Sequence, residues 1–155
     1  MNGEEIIRIA SHHAHTRKYF GGVYASNLLP LVDLDKPLFF IINTDVIQGS
    51  GEHWVMVNSL NGFLEWFDPL GYFPIHYNKN LHNFLTRNGE CNFTSNITPI
   101  QSPNSTKCGY FCLTMADLRV QGYSLGDAMN FFDGIPLQEN DFIVHTYVNS
   151  HMRSV

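Results

Sequence analysis

The sequence predicts an α+β domain in which helices pack around a mixed central β-sheet. Short runs of aromatic and β-branched residues are interspersed with longer segments of helical spacing, without a regular β–α–β alternation. The 155 residues are 44% hydrophobic, which is enough to bury one core, and no repeat or linker marks a second unit. We therefore expect residues 1–155 to form a single domain.

The first half of the chain is predicted to contain one helix and three strands. GEEIIRIASHHAH has the apolar spacing of a helix, through Ile6, Ile7 and Ala10. LFFIIN, at 38–43, is typical of a buried strand. HWVMVN and FLEWFD are the next two strands, and SLNG between them indicates a hairpin loop. DPLGYFP then ends the second strand of this hairpin.

The second half is predicted to be mainly helical. YNKNLHNFLTRNG is a helix that Gly89 closes, and CNFTSNITPIQ is a further strand. A third helix starts near Thr106, presents Phe111, Met115 and Leu118 on one face, and stops at Gly122. NDFIVHTYVNSHMRS is predicted to be the last helix, although its β-branched residues are weak helix formers.

Composition excludes several classes of function. No apolar run is long enough for a membrane span, and the start MNGEEIIRIA is acidic where a signal peptide is basic. Three cysteines are too few for a disulfide scaffold, so a reducing intracellular setting is expected. The formal charge of −5, without a basic block, argues against tight nonspecific binding of nucleic acid.

Two of the three cysteines, Cys108 and Cys112, lie four residues apart in QSPNSTKCGYFC. Cys108 is predicted in the first turn of its helix, with Asn104 and Ser105 as capping residues. The positive end of a helix favours a thiolate there, so Cys108 is a candidate nucleophile. Cys112, one turn further in, is expected to be buried with a raised pKa. The alternative is that both are small buried hydrophobic residues.

The hairpin supplies a candidate base for Cys108. A four-residue loop from Ser59 to Gly62 places His53 opposite Asp68, and a two-residue NG turn places Asp68 opposite Val55, diagonal to His53. Either register puts both side chains on one face. A carboxylate beside an imidazole stabilises the imidazolium, which stabilises a neighbouring thiolate. Taken singly, the histidine is more often an exposed edge residue, and an aspartate before proline is more often a turn former.

A further residue completes the predicted constellation. Acyl transfer by a thiolate needs hydrogen-bond donors aimed at the developing oxyanion. The side-chain amide of Gln101, together with the backbone N–H of Cys108, suits this role. A glutamine at a strand end is otherwise an ordinary polar residue. Its role in catalysis is predicted only because it occurs together with Cys108, His53 and Asp68.

These motifs resemble the adenovirus-type cysteine proteases, the adenain family, which share a clan with the SUMO-deconjugating proteases. The similarity lies in HW at His53 and Trp54, in FDPLG from Phe67, and in QSPNSTKCGYFC. Looser matches are YFGGVY, IINT and GIP. The resemblance implies the adenain and ULP type of cysteine protease fold. It also implies Cys108 as nucleophile, His53 as base and acid, Asp68 as its partner, Gln101 in the oxyanion hole, and Trp54 beside the cleft.

The resemblance also implies what the enzyme cleaves. Family members cut after small, Gly-rich sequences of the Gly-Gly or Gly-X-Gly type, in precursor proteins of the virus particle. A narrow cleft accounts for this, since only glycine lets a backbone pass close to flanking side chains. The expected partners are capsid or core precursors. The expected location is the virion and the host cell, in the nucleus or a cytoplasmic viral factory.

Activators are a separate expectation from the same resemblance. The chemistry requires no cofactor, but in the family a virion-derived peptide activates the enzyme by adding a strand and pairing through a cysteine. Cys91 lies at a broadly similar position in the chain to the cysteine that pairs with this peptide, and the alternative is that it is a free structural thiol. Activation by DNA is doubtful because the chain lacks a basic surplus.

Metal binding is the alternative for the histidine-rich stretch SHHAHTRK. His12, His13 and His15 are expected to bind a divalent ion only weakly, because no carboxylate or thiol lies near them in sequence. We therefore expect an exposed helix end or loop and no metal site. A zinc site from Cys108, Cys112 and distant histidines would leave Gln101 and Asp68 unexplained.

Two other functions compete with a viral maturation protease. A deconjugase of ubiquitin-like proteins, of the SUMO type, shares the triad and the Gly-Gly substrate. A noncatalytic module that binds Gly-rich tails would need none of the residues Cys108, His53, Asp68 and Gln101. Their joint presence favours an enzyme.

Overall fold

The computed structural model describes residues 1–45, 49, 53–88 and 93–153, and it confirms the predicted α+β class. Five strands form one mixed sheet in the order β1-β2-β3-β4-β5. The inner pairs β2–β3 and β3–β4 are antiparallel, and the outer pairs β1–β2 and β4–β5 are parallel. The strands are β1 Phe20–Ala25, β2 Phe39–Asn43, β3 Trp54–Asn58, β4 Glu65–Phe67 and β5 Thr94–Ser95.

The described residues also form five α-helices. They are α1 Gly3–His12, α2 Lys79–Asn88, α3 Cys108–Val120, α4 Leu125–Asn130 and α5 Leu137–Tyr147. A 3₁₀ turn at Pro74–His76 precedes α2, and a π-helical segment at Val148–Met152 continues α5. Among the described residues, no helix is both long and apolar enough to cross a membrane.

The sheet is covered on both faces, because side chains along a strand point alternately to either side. Phe39 and Ile41 of β2 pack into a core with α1, α3 and α5. Phe40 and Ile42 face the opposite way, into a second core with α2. The predicted run LFFIIN is thus a strand buried on both faces.

Helix α3 lies at the centre of the molecule. Every residue from Gly109 to Arg119 is buried. The predicted face of Phe111, Met115 and Leu118 is therefore only part of the buried surface of this helix. Burial on all sides is the pattern of an enclosed helix, although α3 also carries the buried charged residues Asp117 and Arg119.

A buried ion pair joins α3 to β4. The Arg119 guanidinium donates from Nε to Glu65 Oε1 at 2.7 Å and from Nη2 to Glu65 Oε2 at 3.2 Å. Asn58 Nδ2 also donates to Glu65 Oε1, at 2.8 Å. This bidentate pair fixes the helix against the hairpin strands.

Several predicted boundaries differ from the structure. The strand expected over CNFTSNITPIQ is reduced to Thr94–Ser95, because the chain then turns through Thr98 and Pro99. Strand β1 and helix α4 were not predicted. Helix α2 runs as expected, but its expected cap Gly89 lies outside the described residues. The last predicted helix is divided into α5 and the π-helical segment.

Candidate active site

The β3–β4 hairpin places His53 beside Asp68. Its pairs are Met56 with Phe67, Val57 with Trp66 and Asn58 with Glu65. This is the register predicted for the shorter turn, and the register of the four-residue loop is wrong. The connection itself is longer than either prediction, because Ser59 to Leu64 all lie outside the ladder. His53 Nε2 lies 2.7 Å from Asp68 Oδ1.

Asp68 is held by hydrogen bonds at both carboxylate oxygens and is fully buried. Oδ1 also accepts from the Leu70 backbone N–H at 2.9 Å. Oδ2 accepts from the Tyr72 backbone N–H at 3.2 Å and from the Tyr77 hydroxyl. Burial and the charge of Asp68 raise the pKa of Tyr77, so the phenol remains a donor. The carboxylate is thus fixed toward His53.

The backbone of Asp68 is anchored as well. Asn96 Oδ1 accepts from the Asp68 N–H at 2.9 Å, and Asn96 Nδ2 donates to the Asp68 carbonyl at 2.6 Å. Sequence reasoning missed Asn96 and Tyr77 because they are 28 and 9 residues from Asp68. No motif in the sequence indicates either contact.

Cys108 is the first residue of α3, close to its predicted position. The predicted caps Asn104 and Ser105 are wrong, because the N-cap residue is Lys107 and it makes no side-chain cap. Ser105 Oγ instead accepts from the Lys107 N–H at 3.1 Å, one residue before the helix. No side chain therefore caps this helix, and the Gly109 N–H of the first turn acts on the sulfur of Cys108.

The sulfur of Cys108 faces His53 and the backbone of Trp54. The Trp54 N–H donates to Cys108 Sγ at 3.5 Å. Burial by itself raises the pKa of Cys108. The hydrogen bond and charge of His53, with the amides of Trp54 and Gly109, lower the pKa overall. The site thus favours a thiolate.

His53 carries the matching proton. Burial by itself lowers the pKa of His53. The hydrogen bonds to Asp68 and Cys108, and their negative charge, outweigh burial and raise that pKa to about 9. Nε2 is occupied by Asp68, so Nδ1 is the ring nitrogen left for the thiol. The geometry supports a thiolate–imidazolium pair.

Cys112 lies one turn deeper in α3. It is fully buried, and burial raises the pKa of its thiol well above the usual value, as expected from the sequence. Cys112 Sγ donates to the Trp54 carbonyl at 3.4 Å. The backbone N–H of Trp54 therefore contacts one thiol and its carbonyl contacts the other, and of these two cysteines Cys108 is the one suited to be a nucleophile.

Gln101 is buried and lines the same cleft as His53 and Cys108. Its backbone N–H donates to the Pro69 carbonyl at 3.0 Å. Its side-chain Nε2 donates to the Ser105 carbonyl at 3.0 Å, while Oε1 has no partner among the described residues. Asn140 of α5 adds a hydrogen bond to the Ile100 carbonyl at 2.8 Å. The amide is thus positioned by the turn after Asp68 and by α5.

Gly71 allows this turn to approach the backbone that precedes Gln101 closely. Its φ is +81°, and a Cβ there would lie 2.9 Å from the backbone of Thr98 and Pro99. Only glycine combines this conformation with such a contact. The FDPLG motif therefore serves two purposes, since Asp68 contacts the histidine and Gly71 admits the segment that leads to Gln101.

His53, Gln101 and Cys108 line a cleft of about 820 Å³, whereas Asp68 is fully buried and does not line it. Trp54 lines it, and its indole Nε1 donates to the Met1 carbonyl at 3.1 Å. Met1, which the sequence did not suggest, also lines the cleft. Cys91 lies outside the described residues.

The histidine stretch lies at the end of α1 and in the turn that follows. His12 and His15 are exposed as expected, but His13 is half-buried. His13 and His15 both contact Asp117 of α3.

Comparison with known proteins identifies the family. The model of the adenovirus endoprotease family matches residues 20–123, a range that includes His53, Asp68, Gln101 and Cys108. The protease of bovine adenovirus 2 is 24% identical, over 96% of this chain and 85% of that protein. The protease of bovine adenovirus B serotype 3 is 25% identical, over 86% of this chain and 74% of that protein.

Solved structures show the same fold. The C-terminal protease domain of ULP1, in complex with SMT3, the yeast orthologue of SUMO, has a TM-score of 0.51 and 16% identity. That match covers 99% of this chain and 78% of the domain. An ASFV protease has a TM-score of 0.50 and 15% identity, over 89% of this chain and 61% of that one. The chain belongs to the adenovirus endoprotease family and is a viral cysteine endopeptidase.

Proposed function

We propose that this protein is a maturation protease that cleaves Gly-rich sites in virion precursor proteins through a Cys108–His53–Asp68 triad. One observation carries the proposal. The His53 imidazole bonds a buried carboxylate on one side and the thiol at the start of α3 on the other. Nothing in the packing of the core requires this combination of three polar groups.

The reaction follows from the protons that these groups hold. The Cys108 thiolate attacks the carbonyl carbon of the scissile peptide bond and forms a tetrahedral intermediate. His53 gives its proton to the departing amine, and the C–N bond breaks to leave a thioester. His53 then takes a proton from water, whose oxygen attacks the thioester and releases the acid and Cys108. Asp68 holds the imidazole and stabilises its charged form.

The oxyanion of both tetrahedral intermediates would be bound by Gln101 and by the Cys108 N–H. Gln101 Nε2 carries two hydrogens, and the Ser105 carbonyl accepts one of them. The second is available to the substrate. Because the segment around Gln101 is held by Pro69 and Asn140, little reorganisation is needed when charge develops.

A preference for glycine would follow from the walls of the cleft. Trp54 lines the cleft together with Cys108, and its indole is held by its bond to the Met1 carbonyl. His76 and Tyr77 line the same cleft. A substrate residue with a Cβ would meet these rings, whereas glycine would not.

The biological role is proposed from the family. The similar adenovirus proteins are proteases, and the substrates expected here are capsid or core precursors of the virus that encodes this chain. The chemistry above uses no metal or cofactor. We expect a virion-derived peptide to raise the rate, and added DNA to leave it unchanged because the chain carries a net charge of −5.

Cleavage of matched peptides tests the proposal. A quenched fluorescent peptide with Gly-Gly before the scissile bond should be cut much faster than the same peptide with Ala-Ala. Cys108→Ala should abolish cleavage, while Cys112→Ser, which keeps a donor for the Trp54 carbonyl, should retain most of it. Equal cleavage of both peptides would contradict the glycine preference, and full activity of Cys108→Ala would contradict the nucleophile.

The oxyanion role of Gln101 has its own test. Gln101→Ala should lower kcat by about 10²–10³, as expected when one oxyanion donor is lost. Gln138→Ala removes an exposed amide from α5 and is the matched control. An unchanged kcat in Gln101→Ala would assign this residue to structure alone.

A deconjugase of ubiquitin-like proteins is the second candidate. It is favoured by the similarity to the ULP1 domain, which was solved with SMT3, the yeast orthologue of SUMO. A SUMO fusion ending in Gly-Gly and the free Gly-Gly peptide distinguish the two. A deconjugase would cut the fusion far faster than the peptide, and a maturation protease would not.

A further inference from the structure

A second cluster of polar side chains lies away from the cleft. His13 Nε2 is 2.9 Å from Asp117 Oδ1, and His15 Nδ1 is 3.2 Å from the same oxygen. The three atoms all lie within 4.8 Å of one another. Asp117 is nine residues after Cys108, which is about 13.5 Å along α3. The cluster therefore takes no part in the cleavage chemistry.

The carboxylate of Asp117 is buried and held from behind. It is only 1% exposed. Its other oxygen, Oδ2, accepts from the Tyr147 hydroxyl and from Gln121 Nε2, the latter at 2.9 Å. These bonds leave Oδ1 directed at the two imidazoles. Carboxylates that bind metals are oriented by such outer partners.

The charge of Asp117 lacks an ordinary cationic partner. In the part of the chain that the structure describes, no lysine or arginine contacts this carboxylate. A buried carboxylate is costly unless it is paired or coordinates a metal. The two nearest groups, His13 and His15, are ligands that transition metals favour.

The turn that presents the two histidines is well bonded. The His13 N–H donates to the Ile9 carbonyl at 3.0 Å, and the Arg17 N–H donates to the His13 carbonyl at 3.0 Å. Thr16 is buried, and its hydroxyl donates to the Ala10 carbonyl at 2.7 Å. The backbone that carries both ligands is therefore held before any ion binds.

We propose that His13, His15 and Asp117 form a Zn²⁺ site that ties the turn after α1 to the central helix α3. Two imidazoles and one carboxylate are a donor set that zinc accepts, whereas Mg²⁺ and Ca²⁺ prefer oxygen. With zinc–ligand distances of about 2.0–2.1 Å, tetrahedral ligand atoms lie about 3.3 Å apart. The carboxylate–imidazole separations of 2.9 and 3.2 Å are close to that value.

The fourth ligand would be water. The side chain of His15 is 52% exposed, so solvent reaches this side of the cluster. The exposed ring can also turn to bring its nitrogen closer to that of His13. No carboxylate lies near SHHAHTRK in the sequence, but the fold brings Asp117 to it, 104 residues after His13.

Metal titration of the full chain tests this proposal. The protein carries Cys108→Ala, so that the reactive thiol does not compete, and it has no affinity tag. Titration with Co²⁺ should give one equivalent per chain, with the visible bands of a tetrahedral nitrogen and oxygen site and no thiolate charge-transfer band. Zn²⁺ should displace the Co²⁺ and raise the Tm.

Matched variants locate the ion. His15→Ala should weaken Zn²⁺ binding at least about tenfold, because even outer partners of metal sites are worth that much. His12→Ala, in the same stretch but bonded to the Arg8 carbonyl, should bind as the parent does. Circular dichroism checks the folding of both, and His13→Gln is the second ligand variant.

The outcomes separate the alternatives clearly. Equal Zn²⁺ affinity in the parent, His15→Ala and His13→Gln would overturn the site, as would binding well below one equivalent. A thiolate charge-transfer band would place the ion on a cysteine and would also overturn it. In those cases, the two histidines act only as hydrogen-bond donors to Asp117.

Discussion

Replacing Asp68 by asparagine should separate the role of its charge from the role of its shape. The carboxylate contributes the most among the groups that raise the pKa of His53 to about 9 from the usual 6.5. That difference corresponds to about 3 kcal/mol in favour of the imidazolium. Asparagine is nearly isosteric but uncharged, so the pKa of His53 should fall back toward 6.5 or below.

The consequence for Cys108 follows from these values. At pH 7.5 a group with a pKa of about 9 is about 97% protonated, and one with a pKa of 6.5 is about 9% protonated. The thiolate–imidazolium pair should therefore become about tenfold less populated in Asp68→Asn. The pH at which Cys108 becomes reactive should rise, because the thiolate loses the stabilising charge of His53.

The assay is alkylation by a neutral reagent such as iodoacetamide, followed by mass spectrometry from about pH 5 to 9. The unperturbed reference is a thiol pKa near 8.5. Wild type should label Cys108 well below that pH, whereas Cys112 should remain unlabelled in the folded protein. Asp68→Asn and His53→Ala should both label Cys108 about tenfold more slowly at pH 7.5. Asp35→Asn makes the same chemical change at an exposed position and should label as wild type does.

Asp68→Asn also changes hydrogen bonding, and this effect must be measured separately. All the recorded partners of the carboxylate oxygens donate to them, including the Tyr72 N–H. Asparagine replaces one of these accepting oxygens by an NH₂ group, so that two donors face each other. Leaving a buried donor unsatisfied costs about 1–3 kcal/mol of folding stability. Urea unfolding measures this cost. If folded Asp68→Asn shows the labelling profile of wild type, Asp68 does not sustain the imidazolium, and the reasoning is refuted.

Three further predictions concern stability, each measured by urea unfolding. Gly71→Ala should destabilise more than Gly62→Ala, because both have φ +81° but only Gly71 has backbone 2.9 Å from the new Cβ; equal losses would contradict the close contact. Arg119→Met should cost about 3–5 kcal/mol by leaving Glu65 buried and unpaired, and Glu65→Gln in the same chain should recover part of it. His53→Gln removes an imidazole whose pKa is raised in the folded protein. Its preferred protonation in the folded state contributes stability that is fully present below pH 6.5 and is lost as the pH rises through about 9. The stability gap between wild type and this variant should therefore shrink between pH 6.5 and 9.5.

The part of the candidate site that depends on the alternation of side chains along a strand was predictable from the sequence. Strand alternation placed His53 and Asp68 on one face, and the resemblance of the cysteine segment pointed to Gln101. The length of the hairpin loop was not predictable, because Ser59 to Leu64 obey no short turn rule. The Tyr77 hydroxyl on Asp68 depends on how the chain returns after the turn, which is a tertiary contact.

Strand β1 shows why parts of the fold escaped prediction. Its sequence, FGGVYA, contains two glycines, which weaken an isolated strand. The ring of Phe40 lies 2.3 Å from where a Cβ of Gly21 would stand. The glycine is therefore required by packing against β2, and that requirement cannot be read from local propensity. The caps of α3 failed for a related reason, since the chain from Ser102 to Lys107 is shaped by contacts such as that of Ser105 with Asp141.

The burial of α3 links catalysis to the cooperativity of folding. Cys108, the proposed nucleophile, begins the helix around which the larger core assembles, and its neighbours on β3 belong to the same packed unit. A chain that has not formed this core has neither the uncapped helix end nor the aligned hairpin. Activity should therefore appear in the same transition as global folding, and a partly folded chain should cut nothing. In a host cell, such an enzyme would remain inert throughout its own synthesis.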